Sequence, residues 1–261
     1  MEDFDDYPHR VITYNYCESL LAMEEKKVVL TTLPVQVHLA VSSICNKSPR
    51  CAMCLTEHKG EFMPEDLLDK VIAEVFPTAA DIILTADGEP SIYPFLGKIG
   101  GNVINSISMQ TNGLCSDGYL DVIHKLHNIY FSVDAATEDT YKIIRGSGFS
   151  TVLDNIHKIL SLSIAMSRDV FVRMDFVLMQ CNKHEAVQFI ELAHSMGVNG
   201  VKMNPLFPLS SFPKPEIRNG YIFDYSKELI YGSEAEEYIG AARKKAEELG
   251  IAFEGYNYVL N

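Results

Sequence analysis

The 261-residue chain has no apolar run approaching the roughly 18 residues that a membrane-spanning helix needs. Its opening residues, Met1-Glu2-Asp3-Phe4-Asp5-Asp6, are acidic and lack the basic and apolar regions of a signal peptide, so a cytoplasmic location is expected. Basic residues are scarce. Twenty-two Lys and Arg stand against 35 Asp and Glu, a net charge of −13. A surface this acidic repels phosphate backbones and anionic lipid, so neither nucleic acid nor a membrane is an expected partner. Internal repeats and low-complexity tracts are missing. Hydrophobic residues at 47% and charged residues at 22% exclude a disordered or fibrous chain. Cysteines number only six, and in a cytosolic chain they are reduced thiols. Cys17, Cys115 and Cys181 are scattered. Cys45, Cys51 and Cys54 fall within ten residues, which reads as a metal site rather than a disulfide framework.

Residues 1–33 are irregular in pattern, and 1–34 reads as an N-terminal extension to a single domain over 35–261. Strand-like runs then appear near 35–42, 81–87, 103–110, 128–134, 170–179 and 200–206, with helix-like runs near 64–76, 91–99, 117–126, 149–164, 184–196 and 233–249. Pro64 suits the first helical position, and Glu65 and Asp66 suit a helix start. Gly197 and Gly250 are natural helix stops. A run over 251–256 offers a seventh strand, and a Pro-rich loop spans 205–215. Six strand–helix alternations predict an α/β fold with a parallel sheet and helices outside.

Two-residue alternation assigns the strand faces. Val35, Val37, Leu39 and Val41 share an apolar face opposite Gln36, His38, Ala40 and Ser42; His38 there reads as a satisfied core histidine. Ser106, Ser108 and Gln110 share a face, as do Ser132 and Asp134, Arg173 and Asp175, and Lys202 and Asn204. A flat parallel sheet is apolar on both sides. One polar face per strand instead predicts a curled sheet, a partial (β/α)6 TIM-type barrel with a polar lumen suited to a polar ligand. Asp134, Asp175 and Lys202 are candidates for substrate contact or proton transfer.

Thiolates suit zinc or an iron–sulfur cluster. The cysteine segment, Ser43-Ile44-Cys45-Asn46-Lys47-Ser48-Pro49-Arg50-Cys51-Ala52-Met53-Cys54, directly follows the first strand, where barrel folds build their active sites. His58 completes a Cys₃His set for structural zinc, the basis of a non-enzymatic binding module. Three cysteines without a fourth ligand instead leave one iron of a 4Fe–4S cluster open to a substrate or cofactor.

The cysteine segment resembles the signature of radical S-adenosylmethionine (radical SAM) enzymes, whose usual spacing is C-x3-C-x2-C. Here the first gap is five residues, and Met53 stands where an aromatic residue is common. Asp87-Gly88-Glu89-Pro90 resembles the GGEP motif with Asp87 for the first glycine, and Gln110-Thr111-Asn112-Gly113 resembles the TNG turn. Ser132-Val133-Asp134-Ala135, Tyr141 to Arg145-Gly146, and Val152-Leu153-Asp154-Asn155-Ile156 resemble the subgroup that often carries a C-terminal cluster domain (SPASM), although no cysteine cluster follows in this sequence. The resemblance covers about residues 35–206.

The resemblance implies the following roles. Cys45, Cys51 and Cys54 ligate three irons, and the fourth binds the amino and carboxylate groups of S-adenosylmethionine. Reductive cleavage releases methionine and a 5′-deoxyadenosyl radical that takes a hydrogen from a small polar metabolite or peptide. An external electron donor such as flavodoxin or ferredoxin is implied, as is oxygen sensitivity. Met53, Asp87, Gly88, Glu89, Asn112, Ser132, Asp134, Arg145 and Arg173 are the cofactor-site candidates. Several also have a plainer reading: Met53 as an apolar anchor, Glu89 as a helix-start carboxylate, Asn112 as a turn former and Ser132 as a core hydroxyl. Arg145 reads equally as a surface arginine, and Arg173 as a partner of Asp175 or Asp134. Cys115 and Cys181, just past the third and fifth strands, are candidate hydrogen donors to a substrate radical or incidental thiols.

Overall fold

In the computed structural model the described residues are 7–57, 60–85, 87–115 and 117–256. The elements are α1 (Tyr7–Glu24), β1 (Gln36–Ala40), α2 (Glu65–Glu74), β2 (Asp81–Thr85), α3 (Leu96–Asn102), β3 (Ser106–Thr111), α4 (Asp117–Val122), β4 (Leu126–Ser132), α5 (Glu138–Arg145), α6 (Phe149–Ala165) and β5 (Phe171–Leu178). They continue with α7 (Ala186–Met196), β6 (Gly200–Pro205), β7 (Glu216–Arg218), β8 (Tyr221–Phe223), α8 (Tyr225–Glu228), α9 (Gly232–Leu249) and β9 (Ala252–Gly255). Seven strands form one sheet in the order β1-β2-β3-β4-β5-β6-β9, and β7 and β8 pair separately as an antiparallel hairpin. The β1–β2, β2–β3, β5–β6 and β6–β9 pairings are parallel. The α/β class with a parallel sheet is therefore as the alternation predicts, and β9 is the expected seventh strand.

The chain divides into two compact units. The first comprises residues up to Cys45, Glu57–Gln110 and Cys115–Asn128. Its core is apolar: Leu39, Val41, Ile82, Leu84, Ile107 and Met109 are buried, as the alternation requires, and Leu68 of α2 is buried with them. The nominally irregular N-terminus forms α1 instead. Its apolar residues are spread round the helix, with Ile12 and Ala22 buried but Tyr14, Leu20, Leu21 and Met23 exposed, so no helical stripe shows in the sequence. Asn15 ties it down by donating to the carbonyls of Leu33 and Thr78 at 3.0 and 3.3 Å. Pro64 sits one position earlier than expected, at the N-cap of α2, with Glu65 and Asp66 in the first turn. The run expected as one helix over 91–99 splits into a 3₁₀ turn, Pro90–Ile92, and α3.

The second unit comprises Asn46–Thr56, Thr111–Leu114 and everything from Ile129. In β5, Val172, Met174, Phe176 and Leu178 are buried and Arg173, Asp175 and Val177 alternate with them, half-exposed. Helices α7 and α9 pack on each other and end at Gly197 and Gly250 as expected. The short helix α5 lies outside the helix-like runs expected from the sequence. Thr137 caps it, its Oγ1 accepting from Thr140 N, and Tyr141 and Ile144 are its buried anchors.

Candidate active site

In the first unit the DGEP segment lies against the segment that carries Cys45. Gly88 N donates to Ser42 O at 3.0 Å, and Glu89 N donates to Ile44 O at 2.7 Å. The approach is so close that a Cβ on Gly88 would stand 2.1 Å from the Ile44 carbonyl oxygen, so only glycine fits there. Glu89 is buried and its Oε1 accepts from Ser91 N at 3.0 Å, capping the 3₁₀ turn, which is the plainer of its two expected roles. Asp87 is exposed and lines a shallow cleft with Ser42, Ser43 and Glu61. Cys115, after β3, is half-buried. His38 is exposed on the edge strand β1, which corrects the core-histidine reading.

In the second unit the loop Asn46–Thr56 is held from several directions. Lys47 is buried, and its Nζ donates to Tyr141 Oη at 2.8 Å and Ser147 O at 3.0 Å. Asn112 Nδ2 donates to Asn46 Oδ1 at 2.7 Å, while Asn112 Oδ1 accepts from Leu114 N at 2.9 Å; the residue shapes its turn and ties it to the cysteine loop. Ala52 N donates to Ile144 O at 2.7 Å. Ala52 belongs to an apolar cluster with Ile144, Met179, Leu206, Phe223 and Tyr225, against which Met53 and Cys181 pack. Arg218 Nη1 donates to the carbonyls of Cys51, Ala52 and Cys54 at 2.9, 3.0 and 2.7 Å.

Arg145 is no surface arginine. It is 8% exposed, and its Nε and Nη2 both reach Asp134 Oδ2 at 2.5 Å. Its Nη1 lies 3.7 Å from Cys51 Sγ, within hydrogen-bond range of sulfur. Burial works against the guanidinium charge, but the Asp134 carboxylate and then Cys51 outweigh it and hold the group more firmly protonated than usual. Asp134 is fully buried, with a positive φ of 62°. Its Oδ1 accepts from Val177 N at 2.7 Å, and its backbone carbonyl accepts from Asn182 Nδ2 at 2.9 Å. Ser132, half-buried, ends β4 two residues before it.

Arg173 pairs with Asp175 as anticipated, at 2.6 and 3.1 Å, and not with Asp134. It also reaches Glu254 at 3.0 Å and lies 3.8 Å from the centroid of the Tyr130 ring. Lys202 meets the same Glu254 at 2.8 Å. Burial raises the Asp175 carboxyl above its ordinary range, with Arg173 opposing. Cys181 N donates to Glu228 Oε2 at 2.9 Å, and burial followed by the Glu228 charge pushes its thiol far upward, so it stays protonated.

Sequence reasoning missed Lys47 and Arg218. Lys47 lay in view inside the cysteine segment. Arg218 lacked a signal of its own, but Asn219-Gly220 between Ile217-Arg218 and Tyr221-Ile222 marks a two-residue hairpin turn. His58 lies outside the described residues. Among the described residues no three His, Cys, Asp or Glu side chains converge as ligands of one ion. The donor set suits a cluster nonetheless: Cys45, Cys51 and Cys54 are thiols outside any disulfide, and each sulfur on a 4Fe–4S cube binds its own iron.

The family profile described as "Radical SAM superfamily" matches residues 39–208, well over half the chain. The chain belongs to the radical SAM superfamily, whose enzymes work with a 4Fe–4S cluster and S-adenosylmethionine. It is similar to the "Probable GTP 3',8-cyclase" of Saccharolobus solfataricus, 33% identical over 132 residues, 47% of this chain and 40% of the relative. The protein of that name from Saccharolobus islandicus strain M.14.25 is 27% identical over 185 residues, 66% of this chain and 57% of the relative. The chain thus spans about half the length of the curated relatives it matches. Among solved structures, Streptococcus suis SuiB bound to S-adenosylmethionine superposes with a TM-score of 0.67 at 11% identity, over 98% of this chain and 58% of that one. That likeness shows the fold, the α/β class of the partial TIM-type barrel.

Proposed function

We propose that this chain forms the catalytic core of a radical SAM enzyme in which Cys45, Cys51 and Cys54 hold three irons of a 4Fe–4S cluster. The observation that carries the reading is the loop after β1. Its cysteines form no disulfide, its backbone is pinned by Arg218, and Cys51 has a permanently charged guanidinium beside it. When bound, the cluster and S-adenosylmethionine supply reductive carbon–sulfur cleavage and a hydrogen-abstracting radical. The chain's own residues orient and shield. Asp134 aims Arg145 at Cys51, and Asn112 steadies the loop through Asn46. The backbone of Gly88 and Glu89 fixes the stretch that ends at Cys45. The subgroup reading rests on Ser132-Val133-Asp134-Ala135 and Arg145-Gly146, which resemble the SPASM-type core.

The substrate is read as small and polar. In the second unit Arg173, Asp175, Lys202 and Glu254 form a charged network on one sheet face, suited to hydrogen-bonding groups. The name of the curated relatives makes GTP the first compound to try, and the peptide bound by SuiB makes a peptide the second. Cys181, kept as a thiol, retains the hydrogen that an epimerisation would need; Cys115 is the other such candidate. An external one-electron donor such as flavodoxin or ferredoxin is the expected partner.

The test is anaerobic reconstitution with iron and sulfide, followed by reduction with S-adenosylmethionine present. About four irons per chain and formation of 5′-deoxyadenosine are expected, and Cys51→Ala abolishes both. Colourless protein holding one zinc, or cofactor cleavage that survives in Cys51→Ala, overturns the reading.

A further inference from the structure

The hairpin β7–β8 stands apart from the seven-stranded sheet, and its first strand reaches the cysteine loop through Glu216 and Arg218. Glu216 Oε2 accepts from Arg218 Nε at 2.9 Å and from Nη2 at 2.8 Å. This leaves Nη1 directed at the three carbonyls of Cys51, Ala52 and Cys54. The same Glu216 oxygen lies 3.8 Å from Arg50 Nη2, and Arg50 Nη1 donates to Thr56 O at 2.8 Å, so both ends of this loop segment connect to one carboxylate. The turn is anchored too. Asn219 Nδ2 donates to Ile143 O at 3.4 Å, beside the end of α5 that carries Arg145. Phe223, from the second strand of the hairpin, packs in the apolar cluster with Ala52 and Ile144.

Three carbonyl oxygens converging on one point repel each other unless a cation or strong donor sits among them. The Arg218 side chain fills that place and is only 12% exposed. A charge-assisted hydrogen bond is about twice as strong as a neutral one. The three carbonyls belong to the segment that bears two of the proposed iron ligands, and they fix the direction in which the backbone presents the two sulfurs.

We propose that Arg218 is a positioning residue for the iron–sulfur cluster. Clamped by Glu216, it holds the Cys51–Cys54 backbone in its liganding turn before iron arrives and keeps it there while the cluster changes charge. This rests on the reading of Cys51 and Cys54 as cluster ligands. The guanidinium acts through the carbonyls. A lysine at this position can still place donors among them, whereas methionine of similar length cannot.

The experiment compares wild type, Arg218→Met and Arg218→Lys after anaerobic reconstitution. Each is followed by iron content, by the electron paramagnetic resonance of the reduced cluster, and by the rate of iron loss to an added chelator. Arg218→Met is expected to lose iron at least about tenfold faster, the factor set by one lost charge-assisted hydrogen bond, and to show a broadened resonance. Arg218→Lys is expected to recover most of both. Wild-type kinetics and an unchanged spectrum in Arg218→Met overturn the proposal. If Arg218→Met does not fold, Glu216→Gln decides. It alters only an exposed side chain, loosens the clamp, and is expected to speed iron loss; an unchanged rate overturns the proposal. Failure of the wild type to take up iron would count against the enzyme reading, whereas a loaded wild type matched by a loaded Arg218→Met counts against Arg218 alone.

Discussion

Arg145 places a guanidinium nitrogen 3.7 Å from the sulfur of Cys51 while its other nitrogens are occupied by Asp134. A charged donor beside a ligating sulfur stabilises the electron-richer state of a cluster, and hydrogen bonds to sulfur are among the main controls of cluster potential. Arg145→Met is expected to shift the reduction equilibrium about tenfold toward the oxidised form, about 59 mV for one electron. A redox titration followed by paramagnetic resonance measures it. An unchanged potential would mean that the guanidinium serves Asp134 alone.

Cys181 is expected to resist alkylation. The thiolate is the attacking form, and burial and Glu228 raise the thiol pKa, so the reactive fraction is depressed at every pH below it. At pH 8, iodoacetamide should label Cys181 at least about tenfold more slowly than the exposed Cys17, given that tenfold corresponds to one pKa unit. The Cys181 rate should still be climbing well above pH 9. Glu228→Gln removes the second cause and should speed labelling. Peptide mapping by mass spectrometry reads both rates, and equal labelling of the two cysteines would contradict the burial of Cys181.

Gly88→Ala is expected to destabilise the first unit by about 1–3 kcal/mol, the usual range for an added group that nothing can accommodate. The obstacle is backbone, the Ile44 carbonyl, rather than a side chain that can swing away. Urea unfolding measures the loss. A midpoint equal to that of the wild type would show that the DGEP turn and the segment ending at Cys45 part easily.

Much of the architecture was legible because it is periodic. The alternation in Phe171–Leu178 separates four buried apolar residues from Arg173 and Asp175, and the structure keeps that division. Glycines closing α7 and α9 were legible for the same local reason, since a left-handed residue ends a helix. The helix α1 was not, because its apolar residues do not line one side, and what anchors it is Asn15 bonding to residues far along the chain. The cysteine trio was readable from spacing alone. Its supports were not, because Lys47 reaches Tyr141 across 94 positions and Arg218 reaches Cys54 across 164.

By itself the sequence determined the alternation of strands and helices, the polar and apolar faces of each strand, and three thiols directly after the first strand. Those properties depend on neighbours within a few residues, where backbone geometry dictates which side chains share a face. Only the tertiary structure decided that Arg145 turns inward to Asp134 and Cys51, that Arg173 answers Asp175 and Glu254, and that a hairpin arginine pins the cysteine loop. Long charged side chains choose among several partners of opposite sign, and that choice depends on which of them the packed backbone brings within reach once water is excluded.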